Sequence, residues 1–490
     1  MRIVTLNPPF FSKYSRESRS PAVARSGTLY YPMWLAYATG HLEKAGHEVL
    51  LIDAPGASID RNETVKIIKE FNPRMVVIDT STPSIYNDIE VAKTLKEKIP
   101  SLFVVLVGVH VSALPEQTLE ISDQIDAVAF REYDETLVEL AAKLQDKNTT
   151  DRVLETISGL AFRSEKGSVV KNQARPYIED LDGIPFVSSV YKKFLNIDPY
   201  FYGHSRHPLV VIVTGRGCPH RCTYCVIPQT LQGHQYRKRS IESIVEEFLY
   251  IQKNFPNIKE IMIEDDTLTA DKNRCRALAN ALIDAKATKI PWSANSRADV
   301  DYETMRIMKK AGCRLFCVGF ESGDQSILNN IKKSITLEQI RQFIKDASKA
   351  KILVHGCFMV GNRGETKETL EKTLTLAKEL NPDTAQFFPI MVYPGTSDYK
   401  YYKEKGWIVT QNFRKWITDK GLHSSVVSNP DLSYEELVAF CARARKEFYL
   451  RPQYFFSKAA QIITHPSETK RIIKAGFTFF KYMFISPEGK

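Results

Sequence analysis

Short apolar runs alternate with longer amphipathic stretches over the first 150 residues. Five runs rich in Val, Ile and Leu lie at 2–6, 48–54, 75–80, 102–108 and 127–130. Segments such as 31–46 and 88–100, which lie between these runs, have the length and spacing of helices. Buried parallel strands have this continuous apolar character, and strands that alternate with helices predict a doubly wound parallel sheet. We therefore expect an α/β, Rossmann-like domain over residues 1–150.

A second alternation begins near residue 205 and predicts a second domain. Its strand-like runs lie at 208–215, 260–265, 291–297, 315–322, 353–361 and 385–395. Amphipathic segments at 240–255 and 337–351 separate some of them, and six such repeats predict a TIM-type parallel barrel, partial or full, over 205–400. Residues 151–204 then form a linker with a small hairpin at 160–171, and residues 401–490 form a helical C-terminal region.

Bulk properties narrow the class of protein without choosing a function. The chain has 490 residues, 43% apolar and 25% charged, which is typical of a folded globular protein. Its net charge of +10 suits an anionic partner, such as nucleic acid, a membrane surface or a phosphorylated substrate. The start lacks a signal-peptide pattern, and no apolar stretch reaches the roughly 18 residues of a membrane span. We expect a cytoplasmic protein.

The loops after the first-domain strands are candidate ligand contacts, because doubly wound sheets bind ligands at the carboxyl ends of their strands. No G-x-G-x-x-G follows the first strand, so a dinucleotide site loses its main support. Pro, Ser, Thr and a lone His110 occupy these loops instead. They suit a large polar cofactor or merely shape turns.

Three cysteines stand close together after the first strand of the second domain, in "GRGCPHRCTYC" (215–225). Cys218, Cys222 and Cys225 are soft ligands suited to zinc, copper(I) or iron–sulfur clusters. Structural zinc needs four protein ligands, and only His220 and His234 are near enough in sequence to add one. A four-iron cluster held by three thiolates leaves one iron open to an outside ligand. We favour the cluster over zinc and over buried thiols.

The CxxxCxxC spacing, with Tyr224 before the last cysteine, resembles the signature of the radical S-adenosylmethionine (radical SAM) superfamily. The resemblance implies a [4Fe–4S] cluster whose open iron binds the amino and carboxylate groups of S-adenosylmethionine. It also implies a 5'-deoxyadenosyl radical that abstracts hydrogen from a substrate, with an external electron donor of the flavodoxin or ferredoxin type. Which residue acts in catalysis stays unknown, whereas Tyr224 is assigned to cofactor binding.

Further segments resemble superfamily motifs that contact S-adenosylmethionine. "IEDDT" (263–267) offers Asp265 and Asp266 for the methionine amino group, and Arg297 is placed to pair with the carboxylate. "VGFESG" (318–323) places Glu321 near ribose or amino groups, and Gly361 brings backbone close to adenine. The last segment departs from the common pattern by carrying Asn-Arg where Leu-Pro is commoner.

A doubly wound domain before such a barrel resembles the cobalamin-binding-domain branch of the superfamily. The segments "YYPMWLAYATGHLEKAGHEVLLIDA" and "VGVHVSALPEQTLE" carry this likeness. The resemblance implies a cobalamin cofactor, with His110 and Ser112 as its contacts, although the D-x-H-x-x-G motif that supplies a cobalt ligand is missing.

Two stretches, 225–240 and 292–333, resemble members of this branch associated with hopanoid and lipid biosynthesis. His234, Arg237 and Arg239 would then bind an anionic head group, or else form a solvated basic loop. The aromatic and basic tail 449–485 would touch the inner face of the membrane, or else pack on the barrel as a closing helix. We favour membrane contact.

Our leading hypothesis is an enzyme that performs radical chemistry on a lipid or isoprenoid-type substrate, by ring rearrangement, C–C bond formation or methylation. The alternative is cobalamin-dependent C-methylation of a small natural product or peptide. A nucleic-acid-binding module is a third possibility, but it leaves the cysteines unexplained. Five other cysteines lack metal-ligand spacing, and we expect core thiols, although Cys317 and Cys357 could face the barrel cavity and donate hydrogen to a substrate radical.

Overall fold

The computed structural model describes residues 1–146, 150–464 and 466–483, with side chains as far as residue 477. Its first sheet has seven strands in the order β2-β1-β3-β4-β5-β6-β7, of which β1 to β5 are parallel. The strands are β1 Arg2–Asn7, β2 Glu48–Asp53, β3 Met75–Thr80, β4 Phe103–Gly108, β5 Ala127–Ala129, β6 Leu160–Arg163 and β7 Val169–Lys171. The five predicted strands of the doubly wound sheet are therefore confirmed.

Helices cover both faces of this sheet. Alternate residues of a strand point to opposite faces, so the sheet contributes to two separate cores. The helices are α1 Met33–Lys44, α2 Ala54–Ala57, α3 Arg61–Phe71, α4 Ile85–Lys98, α5 Val109–Ala113, α6 Pro115–Ile121, α7 Asp134–Leu144 and α8 Asp151–Leu154. Because α1 and α7 share a core with the second sheet, one face of the first domain also forms the contact with the barrel.

The hairpin expected within the linker is present, but it belongs to the first sheet. Strands β6 and β7 are antiparallel, and β6 pairs with β5. The hairpin therefore extends the first sheet beside β5. This pairing stabilises it, because an isolated two-stranded hairpin is at best marginally stable. Where the first domain ends stays a prediction, and residues 147–149 beside the proposed boundary lie outside the described residues.

The second sheet has six parallel strands in the order β15-β14-β13-β12-β11-β8. Its strands, with the short antiparallel pair β9 and β10 between them in sequence, are β8 Leu209–Ile212, β9 Gly215–Arg216, β10 Arg237–Lys238, β11 Glu260–Ile263, β12 Trp292–Ser296, β13 Cys313–Glu321, β14 Leu353–Val360 and β15 Thr384–Pro389. This agrees with the predicted six-strand barrel in its partial form.

Amphipathic helices follow the barrel strands and cover their outer side. They begin at capping residues such as Ser240, Thr336 and Thr366, whose side chains accept a hydrogen bond from a first-turn N–H. The helices of this half are α9 Val187–Phe194, α10 Ile241–Asn254, α11 Lys272–Asp284, α12 Tyr302–Lys310, α13 Gln325–Asn330, α14 Leu337–Ala350, α15 Lys367–Leu380, α16 Ser397–Glu404, α17 Tyr434–Tyr449, α18 Pro452–Thr464 and α19 Thr469–Met483.

The C-terminal region combines a buried anchor with an exposed apolar surface. Glu468 bonds Arg206 and Arg314 at the amino ends of the barrel strands, at 2.7 and 3.1 Å. Farther along, Phe456 and Phe477 are about three-quarters exposed, at 76% and 74%. The closing contact with the barrel is therefore observed, while contact with a membrane stays a prediction. No helix among the described residues is long and apolar enough to cross a bilayer, and residues 484–485 of the predicted tail lie outside them.

Glu468 is expected to make stability depend on acid pH. Burial alone would raise its pKa, but the surrounding arginines, Arg314 foremost, lower it from 4.5 to about 2. A carboxylate with a depressed folded-state pKa contributes stability above its unfolded pKa and loses it as pH falls. We expect the difference in unfolding free energy between wild type and Glu468→Gln to shrink as pH falls from 4.5 towards 2. Urea titrations at several pH values measure it, and a pH-independent difference would contradict the ion-pair role.

Candidate functional site

The three cysteines lie in a loop, residues 217–235, that connects β9 to β10 (the cysteine loop). Its entrance requires glycine: Gly217 has φ of +85°, and a Cβ there would lie 2.2 Å from the Gln235 carbonyl oxygen. The Cys218 N–H donates to the Gly233 carbonyl, and Gln232 accepts from the Gly217 N–H. The loop is therefore held at its base by β9 and β10, directly after barrel strand β8.

The donor set of the cysteine loop fits a cluster better than a single zinc ion. Zinc bound by two thiolates holds their sulfurs about 3.8 Å apart, from Zn–S bonds of about 2.3 Å. Cys218, Cys222 and Cys225 do not form a group with ligand atoms within 4.8 Å of one another, whereas another trio among the described residues does. Burial raises the pKa of the Cys218 thiol to about 11 and that of Cys225 further, so these thiols need a metal to ionise near neutral pH.

Asp266 lies beside the cysteines with one unpartnered oxygen. Its Oδ1 accepts from Arg19, at 3.0 Å, while its Oδ2 is buried without a hydrogen-bond partner. Its charge raises the pKa of both Cys218 and Cys225. Burial raises the pKa of Asp266 itself, and Arg19 opposes that shift. An unsatisfied buried carboxylate oxygen fits an ammonium group such as the methionine amino group of S-adenosylmethionine.

Asp265 has a different environment. Both of its oxygens accept hydrogen bonds from Thr214, the N–H and the hydroxyl each at 2.6 Å, and Oδ2 also accepts from the Tyr236 hydroxyl at 2.9 Å. It thereby ties the end of β8 to Tyr236, which lies between the cysteine loop and β10. Of the two candidate carboxylates, Asp266 has the free acceptor.

Tyr224 and Glu321 meet in a buried network. The Tyr224 hydroxyl donates to Glu321 Oε1 at 2.9 Å, and Lys333 Nζ lies 2.7 Å from the same oxygen. Glu321 has φ of +65°, a left-handed conformation that a β-strand end rarely adopts without cause. The strand end thus turns the Glu321 carboxylate towards the cysteine loop, and a contact with S-adenosylmethionine stays a prediction.

Arg297 and Gly361 are held by protein partners. The Arg297 guanidinium donates to the main-chain oxygens of Lys333 and Ser334. The Gly361 N–H donates to Glu365 at 2.6 Å, and its carbonyl accepts from the Tyr402 hydroxyl at 2.7 Å. Their predicted roles towards the methionine carboxylate and adenine stay predictions.

His110 and Ser112 lie in α5 at the carboxyl end of β4, as the sequence predicts. His110 Nδ1 is 3.1 Å from Thr82 Oγ1, and its ring packs edge-on against Phe413. Burial lowers the pKa of His110 to about 3, so the imidazole is neutral. Ser112 Oγ donates to the Gly108 carbonyl at 2.7 Å and accepts from the Arg131 N–H at 3.0 Å.

The same edge of the first sheet carries buried polar atoms without partners, Asp79 Oδ2 and the Tyr133 hydroxyl. Burial, then the charges of Glu17 and Asp79, raise the pKa of Tyr133, so these groups lie near one another. Unsatisfied donors and acceptors at the ligand edge of a doubly wound sheet fit a cofactor rich in amide groups, such as cobalamin.

The carboxyl-end edge of the first sheet touches the cysteine loop at the mouth of the barrel. Helix α5 packs against the π-helical turn Pro228–Gln232 of the cysteine loop. A Cβ at Gly395, in the turn after β15, would lie 2.9 Å from the Ala113 Cβ in α5. The segment with His110 and Ser112 is therefore in direct contact with the barrel mouth that holds the cysteines.

Comparisons with known proteins match one family in each of the two sheet-containing parts of the chain. Residues 212–377 match the radical SAM superfamily model, and residues 19–141 match the B12 binding domain model. An uncharacterized methyltransferase of Pyrococcus horikoshii is 33% identical over 455 residues, covering 92% of this chain and 93% of the relative. The chain is a radical SAM enzyme with a B12-binding domain. The [4Fe–4S] cluster, S-adenosylmethionine and cobalamin that the sequence implies are thereby confirmed as its cofactor set.

Two further comparisons show how widely this architecture is used. The anaerobic magnesium-protoporphyrin IX monomethyl ester cyclase of Cereibacter sphaeroides is 26% identical over 462 residues, covering 93% of this chain and 71% of the relative. The structure of the radical SAM methyltransferase TsrM from Kitasatospora setae, with cobalamin and a [4Fe–4S] cluster bound, has a TM-score of 0.69 at 17% identity. It covers 90% of each chain. None of these three supports the predicted resemblance to hopanoid-associated members.

The structure also overturns one expectation for this radical SAM enzyme. Arg237 and Arg239 neither bind a head group nor lie in a solvated loop, because both are buried in ion pairs, with Glu132 at 2.7 Å and with Glu247. His234 Nδ1 lies 3.0 to 3.2 Å from two carbonyls of the cysteine loop. A charge-rich stretch in the sequence did not distinguish structural arginines from ligand-binding ones.

Sequence reasoning missed several residues that the fold brings to the barrel. Arg19 and Tyr30 come from the segment after β1, and Lys333 follows α13. His355 was also missed; it clusters with Cys317 and Cys357, the two thiols that the sequence analysis expects could face the cavity, although the spacing gives no metal motif. The position of each of these residues depends on contacts between distant segments. Only residues on neighbouring predicted strands, such as Cys317 and Cys357, could have been paired from the sequence.

Proposed function

We propose that this enzyme is a cobalamin-dependent methyltransferase that methylates a carbon atom of a small organic molecule. The direct contact between α5, which carries His110 and Ser112, and the cysteine loop supports this most, because methyl transfer needs both cofactors next to one substrate. The Pyrococcus relative, which matches nearly the whole chain, is also described as a methyltransferase. The lipid substrate loses its basis, because the basic residues assigned to its head group are buried in the fold.

When bound, cobalamin carries the methyl group, and the cluster with S-adenosylmethionine supplies the radical that activates the substrate carbon. The protein contributes position and charge. Cys218, Cys222 and Cys225 would hold the cluster, and Asp266 Oδ2 would accept from the methionine ammonium. Arg19 keeps the Asp266 carboxylate in place through its 3.0 Å contact.

The substrate would lie in the barrel lumen, between these groups and the first domain. Parallel-barrel enzymes carry their chemistry at the carboxyl ends of the strands. Partly exposed side chains line the lumen there, among them Glu264, Asn295 and Phe388. Because burial raises the pKa of Glu264, the lumen disfavours charged groups and suits a neutral substrate portion.

We further propose that the external electron donor docks beside the cysteine loop. Pro219, next to Cys218 in sequence, lines a surface depression together with Lys238, Lys272 and Arg276. Asp271, which pairs with Lys238 at 2.9 Å, also lines the depression, so a flavodoxin-type or ferredoxin-type donor would meet a modest excess of positive charge. Charge complementarity speeds such encounters.

Isotope transfer tests the proposed function. Anaerobically purified enzyme with cobalamin, a chemical reductant and S-adenosylmethionine labelled in its methyl group is incubated with fractionated metabolite extract. We expect label in a carbon-bound methyl group of a small molecule, and dependence of that label on cobalamin. Products that are ring-closed but unlabelled would contradict methyl transfer and favour cyclase chemistry instead.

A further inference from the structure

Strands β13 and β14 bring three metal-binding side chains together inside the barrel. In their parallel register, Cys317 pairs with His355, and Cys357 follows two residues later on the same face of β14. The opposite face carries Phe320 and Phe358, whose rings lie 5.6 Å apart, and Phe320 contacts Phe343 of α14. Because that face packs against helices, Cys317, His355 and Cys357 face the lumen.

The distances among these groups match a single bound ion. One ligand atom from each of the three residues lies within 4.8 Å of the others, and the two sulfurs are 3.9 Å apart. A tetrahedral zinc ion with Zn–S bonds of about 2.3 Å separates two thiolate sulfurs by about 3.8 Å. The two sulfurs therefore already have the separation that a shared zinc ion requires.

Neighbouring side chains hold the His355 imidazole in place. His355 Nδ1 lies 2.7 Å from Thr384 Oγ1, and Gln386 is a further hydrogen-bond partner of the ring, so a metal would bind at Nε2. Hydrogen bonds of this kind orient ligating histidines through their second ring nitrogen.

The two thiols differ from the other cysteines outside the cysteine loop. Cys275, Cys313 and Cys441 are at most 2% exposed, as expected for core thiols, whereas Cys317 and Cys357 are partly exposed. Their sulfurs are adjacent, so one cation can bind both as thiolates.

A metal here would also change the chemistry of the lumen. In a methyltransferase, a free thiol beside a substrate radical could quench it by donating a hydrogen atom, in competition with methylation. Thiolates bound to a metal have no S–H to donate. This effect on a substrate radical rests on the proposed function, whereas the arrangement of the three side chains does not.

We propose that Cys317, His355 and Cys357 form a zinc site in the barrel lumen, separate from the cluster and from cobalamin. Three protein ligands leave the fourth position open, which is the arrangement of zinc sites that bind an outside ligand. The open position would take water or a donor atom of the substrate, such as a thiolate, an imidazole nitrogen or a carboxylate.

Zinc content and zinc spectroscopy of the holoenzyme test this site without any activity assay. Enzyme loaded with cluster and cobalamin is incubated with one equivalent of Zn²⁺, passed through a desalting column and analysed for metals. We expect about one zinc per chain, and a loss of at least fivefold in the double variant Cys317→Ser/Cys357→Ser. X-ray absorption at the zinc edge should show two sulfur ligands at about 2.3 Å and one nitrogen ligand at about 2.0 Å.

A matched control separates a built site from general thiol binding. The double variant Cys275→Ser/Cys441→Ser alters two cysteines that belong to no metal group among the described residues, and it should retain the zinc. Unchanged iron and cobalt in the lumen variant would show that its fold is intact. Failure of the holoenzyme to retain zinc, equal retention by the lumen variant, three sulfur ligands, or a Cys317–Cys357 disulfide in anaerobic protein would overturn the site. None of these outcomes bears on methyl transfer, so the two proposals fail separately.

Discussion

The Cys222→Ala variant is expected to lose its cluster iron and, with it, reductive cleavage of S-adenosylmethionine by at least a thousandfold. Cys222 is one of three thiolates in the cysteine loop, and the geometry there offers no nearby replacement, because His234 is bound to loop carbonyls. Two thiolates hold a four-iron cluster poorly, since such clusters are normally anchored by four cysteine thiolates and this loop supplies only three to begin with. Iron and sulfide analysis, followed by detection of 5'-deoxyadenosine, measures the effect.

The rest of the molecule should be unchanged in that variant. Cys222 is partly exposed and contributes to neither core, so the first sheet and its cobalamin edge should remain folded. Cys275→Ala is the matched control, because Cys275 is a core thiol whose Sγ donates to the Leu268 carbonyl at 3.4 Å and belongs to no metal group among the described residues, so iron should be retained. Full turnover in Cys222→Ala would refute the assignment of the cysteine loop.

The sequence predicted the sheets well because their signal is local. Strands such as β3 and β4 are continuous apolar runs between turn residues, and their bounds lie within one or two residues of those predicted. The three cysteines were equally visible, since their ligand spacing is contained in one short loop. A pattern within a dozen neighbouring residues is accessible to sequence reasoning.

Side-chain partners were less accessible because they come from distant segments. The adjacent carboxylates Asp265 and Asp266 look equivalent in sequence, yet Thr214 and Tyr236 occupy one of them and Arg19 leaves an oxygen of the other free. The basic stretch with Arg237 and Arg239 likewise reads as a solvated or anion-binding loop. Only the fold shows that both arginines are buried in ion pairs with carboxylates.

Arg216 connects the cysteine loop to the first domain through buried ion pairs. It lies in β9, two residues before Cys218, and its Nη1 is 2.9 Å from Glu132 and 2.8 Å from Asp134. Its guanidinium also lies 5.0 Å from the ring centre of Tyr37 in α1. Burial alone would raise the pKa of Asp134, but Arg216 reverses this and lowers it. The pairs therefore join the barrel to the loop that follows β5.

Replacing Arg216 with Met is expected to lower the free energy of unfolding by about 3–5 kcal/mol, because Asp134 and part of Glu132 remain buried without a counter-charge. Arg216→Lys should recover part of this loss, since it keeps the charge but not the forked geometry. Arg341→Met, which breaks an exposed pair with Glu379, should cost less than about 1 kcal/mol. Urea unfolding of the three variants compares them directly.

Loss of the Arg216 ion pairs should also affect cobalamin binding and cluster binding differently. Because α5 and the cysteine loop meet only when the domains are correctly docked, Arg216→Met should bind cobalamin more weakly while retaining its iron. Neutralising the stranded carboxylate in the double variant Arg216→Met/Asp134→Asn should restore part of the stability, as removal of an unpaired buried charge does. If Arg216→Met unfolds at the same urea concentration as Arg341→Met, the buried pairs do not hold the domains together. The contact between the cobalamin edge and the barrel mouth would then depend on apolar packing alone.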